Sequence, residues 1–229
     1  MGTVWAFGCS HIAGHSLSTE WSQQRMLDWY QKKMKCKNHQ EFYDKHRSNA
    51  WKLWYEKYGC PDNANLSFAG QTAKKINFKY KCFGRHGTGI DYSYACLLDN
   101  MHQFKKNDII LFELPPTYRY LGMLDRVVQL AVLSKRELKY FPAERTINDM
   151  YSLMFKDIVA KNIDNLYFIN IYHHDAKQIN EALPDIFWHN KITLASMSDN
   201  LGIVRMPTGH HHQDAHDQFS NYLIKEIIK

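Results

Sequence analysis

At 229 residues with 45% apolar content, the chain is long enough to bury one large core, and a single domain over residues 1–229 is the expectation. Its 29 basic and 23 acidic residues leave a net charge of +6, too mild an excess to mark a nucleic-acid binder, although basic residues gather with aromatics over Lys32–Lys57 and Lys74–Lys81. The five cysteines (Cys9, Cys36, Cys60, Cys82, Cys96) lack C-x-x-C spacing and point away from a disulfide frame or zinc knuckle, and no signal peptide or bilayer-length apolar run is visible, so reduced thiols in a cytoplasmic protein with no membrane partner are expected.

The first element predicted is a strand, Val4–Phe7, which stops at Gly8; Ser10 follows and Gly14 closes the segment. A serine at the carboxyl end of a parallel strand lies where open α/β sheets keep their sites. There it has an exposed hydroxyl beside backbone donors, as a serine nucleophile requires. The plainer reading is a serine that caps the first helix. From Leu17 to Gly59 the apolar residues recur at helical spacing, and Cys60-Pro61-Asp62-Asn63 ends the stretch as a turn. Residues 18–60 hold Trp21, Trp29, Trp51 and Trp54 among many lysines. They are expected to be helical, either roofing the Ser10 cleft in part or covering a sheet edge or dimer contact.

Strands are predicted at Ala64–Phe68 and Asn77–Phe83, then a glycine turn over Gly84–Gly89 and a helix over Ile90–Phe104. Asp108 opens the strand Ile109–Leu114, which Pro115-Pro116 terminates. Helices follow at Leu121–Leu138 and Ile147–Asn162, a strand at Leu166–Tyr172, a helix at Ala176–Leu183, a strand at Gly202–Met206 and a closing helix at Phe219–Ile228. Strands separated by helices predict an α/β fold: a three-layer α/β/α sandwich around a mainly parallel sheet.

Four blocks, in order, carry a family resemblance. Gly8-Cys9-Ser10-His11-Ile12-Ala13-Gly14 is similar to GDSxxxG with Cys9 in the place of Asp, and Gly87-Thr88-Gly89 stands at the start of a helix. Thr117 falls nearest an expected Asn after the Ile109–Leu114 strand, and the segment from His210 to His216 is similar to H-P-x-x-x-[GA]-H. The chain thus resembles the SGNH (GDSL-like) hydrolases, a superfamily of flavodoxin-like architecture, and within it the short phage and bacterial members with an FGCSxxxG block. The resemblance implies a serine esterase or acyl-group hydrolase acting on a small-molecule or carbohydrate ester, without cofactor or metal, in a host cytoplasm if the protein is viral. It implies Ser10 as nucleophile, His210 as general base, and an oxyanion hole from Ser10, Gly87 and Thr117. Gly70, in Asn65–Gly70, is the rival to Gly87.

The departures bear on activity. Pro207 and Thr208 stand where the family places its acid, so Ser10 and His210 act as a dyad, Asp214 substitutes, or the scaffold only binds a sugar or peptide. A different chemistry is also open: His212 and His216 on one helix face, with His173-His174-Asp175 nearby, could hold zinc or iron.

Overall fold

A computed structural model describes residues 1–46, 49, 52, 54, 56, 62–114, 119–124, 127–132, 153–172, 191–206 and 208–228. Strand β1 (Thr3–Gly8) leads into a single helical turn, α1 (Ser10–Ala13). Helix α2 (Gln23–Asp28) widens into a π turn at Trp29–Lys33, and α3 (His39–His46) follows. Helix α4 (Phe68–Lys75) precedes β2 (Lys79–Gly84), and α5 (Ile90–Asn100) precedes β3 (Ile109–Leu114). A hairpin of β4 (Arg119–Leu124) and β5 (Val127–Val132) stands apart from the main sheet. Then come helix α6 (153–160), β6 (Leu166–Asn170), α7 (Leu194–Asn200) and α8 (Gln213–Tyr222), the last continuing as a π turn to Ile227.

The main sheet runs β2-β1-β3-β6, every neighbouring pair parallel. A parallel sheet is covered on both faces, which is why Val4–Phe7 and Ile109–Phe112 are unbroken apolar runs. Side chains of alternate residues part to opposite faces. Val4, Ala6, Leu111 and Ile169 pack against Phe68 and Ala73 of α4, Leu194 of α7 and Phe219 of α8. Trp5, Phe7, Ile110, Phe112 and Phe168 pack against Ile90 and Leu97 of α5 and Phe155 and Ile158 of α6. The chain is therefore an α/β/α sandwich. Asp108 pins the start of two strands together, accepting the Thr3 amide at 2.8 Å and the Trp5 indole N–H at 2.9 Å.

The order places β1 between β2 and β3, so the direction of winding reverses at the β1–β3 boundary. In doubly wound sheets, the crevice outside the carboxyl ends of the strands at that reversal holds the ligand. Ser10 follows β1 directly, and Glu113 is near the end of β3.

Residues from 21 to 54 add a third, smaller core: Trp21, Met26, Trp29, Tyr30, Phe42 and Trp54 close around Met206. No helix among the described residues is long and apolar enough to cross a membrane.

Three expected elements differ. Residues 64–66 form a 3-10 turn rather than a strand, and Ser67 caps α4 by accepting the Gly70 amide at 3.2 Å; a serine cap outweighs a short apolar run. Leu121 and its neighbours lie in the β4–β5 hairpin rather than a helix. The valines at 127, 128 and 132 favour extended backbone, and apolar spacing there suits either period. Residues 202–206 form no strand: the Val204 amide and the Arg205 carbonyl bond to the side chains of Gln23 and Tyr30 instead of to a neighbouring strand. The helix expected at Ala176–Leu183 lies outside the described residues, as does the first part of Ile147–Asn162.

Candidate active site

The turn after β1 is fixed from below by a carboxylate. Cys9 is the N-cap of α1, but its side chain makes no cap. Glu113, fully buried on β3, does that work: its Oε2 accepts the amides of Cys9 at 3.0 Å and Ile12 at 3.2 Å, and its Oε1 accepts the Cys9 thiol at 2.9 Å. A Cβ at Gly8 would collide with the Glu113 side chain, so glycine is what lets the two strand ends meet this closely. Ser10 is the first residue of α1, where the backbone N–H has no intrahelical acceptor.

His210 reaches Ser10 from the segment before α8. Gly209, with φ at 83°, closes a tight turn in which its own amide donates to the Met206 carbonyl at 2.8 Å and the Met206 amide donates to the His210 carbonyl at 2.9 Å. The left-handed backbone there suits glycine. The turn sets His210 Nε2 2.9 Å from Ser10 Oγ. On the other side of the ring, Nδ1 lies 3.1 Å from Thr208 Oγ1, whose hydroxyl donates to Ser16 Oγ at 3.0 Å.

More imidazoles line the same place. His15 bonds Asp62 through Nδ1 at 2.9 Å, stacks on His86 at 4.0 Å between ring centroids, and meets His210 edge-on at 4.8 Å. His11 lies 5.4 Å from His210 and bonds the Tyr172 hydroxyl at 3.1 Å. Behind them, two histidines are structural. His212 Nε2 donates to the Trp21 carbonyl at 2.6 Å while Nδ1 accepts the Asp214 amide at 3.1 Å, which fixes one tautomer. His216 Nδ1 accepts the Phe68 amide at 3.0 Å at the start of α4. Burial, with the neighbouring His212 adding to it, lowers His216 to about 3, and burial followed by the Arg205 charge holds His211 well below the usual imidazole range.

The structure brings Ser10 and His210 together. Gly87 lies in the turn between β2 and α5, which is tied to the site by the Arg85 amide on the Gly8 carbonyl at 3.3 Å and by His86. Gly70 is packed into the first turn of α4, where a side chain would strike the backbone of residues 64 and 65. Thr117 and the His173-His174-Asp175 run lie outside the described residues. Asp214 does not back His210; it accepts the Gln23 amide N–H at 2.7 Å. His212 and His216 do not share a helix face toward a common ion, since His212 is the N-cap of α8 and both rings serve backbone groups. Among the described residues no group of histidines, cysteines and acids is arranged to hold a metal ion.

Sequence reasoning missed Glu113, Ser16, His15, His86 and the role of Asp62 beside them. Glu113 did carry a signal: it is the single acid in the strand Ile109–Leu114, and a charged residue in a doubly covered strand needs buried partners. Ser16 and His86 carried none, because their positions depend on how loops from distant parts of the chain meet.

No protein-family model matches the chain, and no curated protein does. Among solved structures it is similar to a protein of the G-D-S-L family from Desulfitobacterium hafniense DCB-2, at 10% identity and a TM-score of 0.48, over 97% of both chains. It is similar to a carbohydrate esterase whose active site is described as having divergent catalytic and non-catalytic binding functions, at 13% identity and a TM-score of 0.48, over 97% of this chain and 67% of the other. An acetyl xylan esterase (Est2A) from the rumen bacterium Butyrivibrio proteoclasticus is similar at 12% identity and a TM-score of 0.45, over 97% of this chain and 63% of the other.

Proposed function

We propose that the protein is a serine hydrolase of SGNH type that cleaves esters of small molecules or carbohydrates. The observation that carries this reading is the 2.9 Å contact between His210 Nε2 and Ser10 Oγ, at the strand end where a doubly wound sheet keeps its site.

In the proposed reaction Ser10 Oγ attacks the ester carbonyl as its proton passes to His210 Nε2. The oxyanion of the tetrahedral intermediate is held by the backbone N–H of Ser10 and that of Gly87, with Thr117 a further donor. His210 then gives its proton to the departing alkoxide, which leaves as the alcohol. A water that transfers a proton to His210 attacks the acyl-enzyme, and the proton returns to Ser10 as the acid is released. Each step uses only groups of this chain, the substrate and water.

A fluorophosphonate probe tests this directly. Covalent capture of the unaltered protein on Ser10, lost in Ser10→Ala, supports the hydrolase. Ser10→Ala is also expected to abolish cleavage of a short-chain nitrophenyl ester while leaving thermal stability nearly intact. No capture, together with no ester cleavage by either protein, overturns the reading and leaves a binding scaffold.

A further inference from the structure

We propose that Thr208 and Ser16 together replace the acid behind the base: Thr208 positions His210, and Ser16 commits the Thr208 hydroxyl to that task. The inference rests on the reading of Ser10 as nucleophile and His210 as base.

For Nε2 to take the Ser10 proton, the neutral imidazole must carry its hydrogen on Nδ1. Nδ1 lies 3.1 Å from Thr208 Oγ1 and must donate to it. A threonine hydroxyl is not obliged to accept, however. It can equally turn its own hydrogen toward Nδ1, which would move the ring hydrogen to Nε2 and leave nothing to receive the Ser10 proton. Ser16 removes that option. The Thr208 hydroxyl donates to Ser16 Oγ at 3.0 Å, so only a lone pair of Oγ1 is left to face His210. Hydrogen bonds then run one way, from Ser10 to His210, from His210 to Thr208 and from Thr208 to Ser16, and bonds aligned in this way polarise one another.

Ser16 is held for this with some strain. Its φ is 66°, the left-handed region that a residue with a Cβ seldom enters, and it is 3% exposed. Such a conformation is unfavourable for a residue with a Cβ and persists where the surroundings enforce it, commonly at sites. The relay supplies what the acid of a triad supplies in orientation and tautomer. What it lacks is the negative charge that stabilises the imidazolium.

The test is the rate at which a fluorophosphonate modifies Ser10. In that step the Oγ–P bond forms, the P–F bond breaks with loss of fluoride, and the Ser10 proton passes to His210 and on to water, so the rate reads base positioning without knowledge of the natural substrate. Thr208→Val is expected to slow modification about tenfold or more, and Thr208→Ser to stay within about threefold of the unaltered rate. Ser16→Ala is expected to slow it severalfold when Thr208 is present and to have no further effect on Thr208→Val, because residues acting through one chain are not additive. Ser16→Ala deletes a single hydroxyl and so reads the relay independently of how the valine variant folds. Full-rate modification of Thr208→Val, or effects of the two substitutions that simply multiply, overturns the relay while the Ser10–His210 reading stands. An unaltered protein that takes no label overturns that reading and the relay with it.

Discussion

Glu113 Oε1 accepts the Cys9 thiol at 2.9 Å, one residue before Ser10, while its other oxygen holds the amides on either side of the nucleophile. The turn after β1 thus takes its buried acid from β3, across the sheet, and not from its own residues. Removing the carboxylate would strand two buried N–H groups. Glu113→Ala is expected to destabilise the fold by about 2–6 kcal/mol, since each unmade buried bond costs about 1–3 kcal/mol. Glu113→Gln keeps an acceptor oxygen and should lose less than half as much. Urea unfolding midpoints of the three proteins check the order.

Thr208 Oγ1 lies 3.1 Å from His210 Nδ1. A carboxylate there would accept the same hydrogen bond and add a negative charge behind the ring. Thr208→Asp is therefore expected to raise the rate of Ser10 modification and of nitrophenyl ester cleavage by about tenfold or more, a fraction of the ~10⁴ lost when a true triad is deprived of its acid. A stopped assay comparing kcat of the two proteins measures it. A rate no higher than that of the unaltered chain would show that charge behind the base does not limit this site.

The sheet was legible because its strands are apolar on both faces and bounded by turn residues: Val4–Phe7, Ile109–Leu114 and the strand from Leu166 were all placed to within a residue or two of where they form. That Ser10 and His210 meet was expected for a different reason, the family resemblance of a segment near each end of the chain. Residues 202–206 misled because Val204 and Met206 are apolar for another cause, packing with Tyr30 and the tryptophans, while Ile203 joins the core under the sheet without pairing as a strand. The relay through Ser16 could not be read at all. It joins Ser16, three residues past the end of α1, to the segment before α8, and no local spacing records a contact between loops so far apart in sequence.

The histidines withdrawn wholly or partly from solvent predict how stability responds to acid. His216 is lowered to about 3 and His39 to about 4, each chiefly by burial, and His211 lies well below its ordinary value. These rings stay neutral in the folded chain while the same rings in the unfolded chain take up protons near pH 6.5. The unfolded state therefore binds more protons once pH falls below about 6.5, and stability declines from there down to the folded-state values near 3–4. Each histidine contributes up to about 1.4 kcal/mol per pH unit over that window. His216→Asn keeps an acceptor for the Phe68 amide but removes the titration. Its urea midpoint is expected to fall less between pH 7 and pH 5 than that of the unaltered protein.

Residues of the segment from 21 to 46 hold the strip of chain that carries His210. The Tyr30 hydroxyl donates to the Arg205 carbonyl at 2.6 Å, Gln23 serves both the Val204 amide and Asp214, and the Trp21 carbonyl receives His212. None of these residues touches Ser10 through those bonds, yet each bond fixes a residue within six of His210. A ring nitrogen must stay within hydrogen-bond reach of the serine to act as its base, so loosening the strip should be read in reactivity before it is read in fold. Tyr30→Phe leaves one carbonyl short of a partner, worth about 1 kcal/mol, and is expected to lower the melting temperature by a few degrees while slowing Ser10 modification severalfold. Gln23→Ala should act in the same direction. Lys32→Ala, on the outer face where the exposed Lys32–Asp28 pair spans one helical turn, is the control and should change neither measurement. If Tyr30→Phe and Gln23→Ala label as fast as the unaltered protein, the segment is a cover on the sandwich and not a brace for the base.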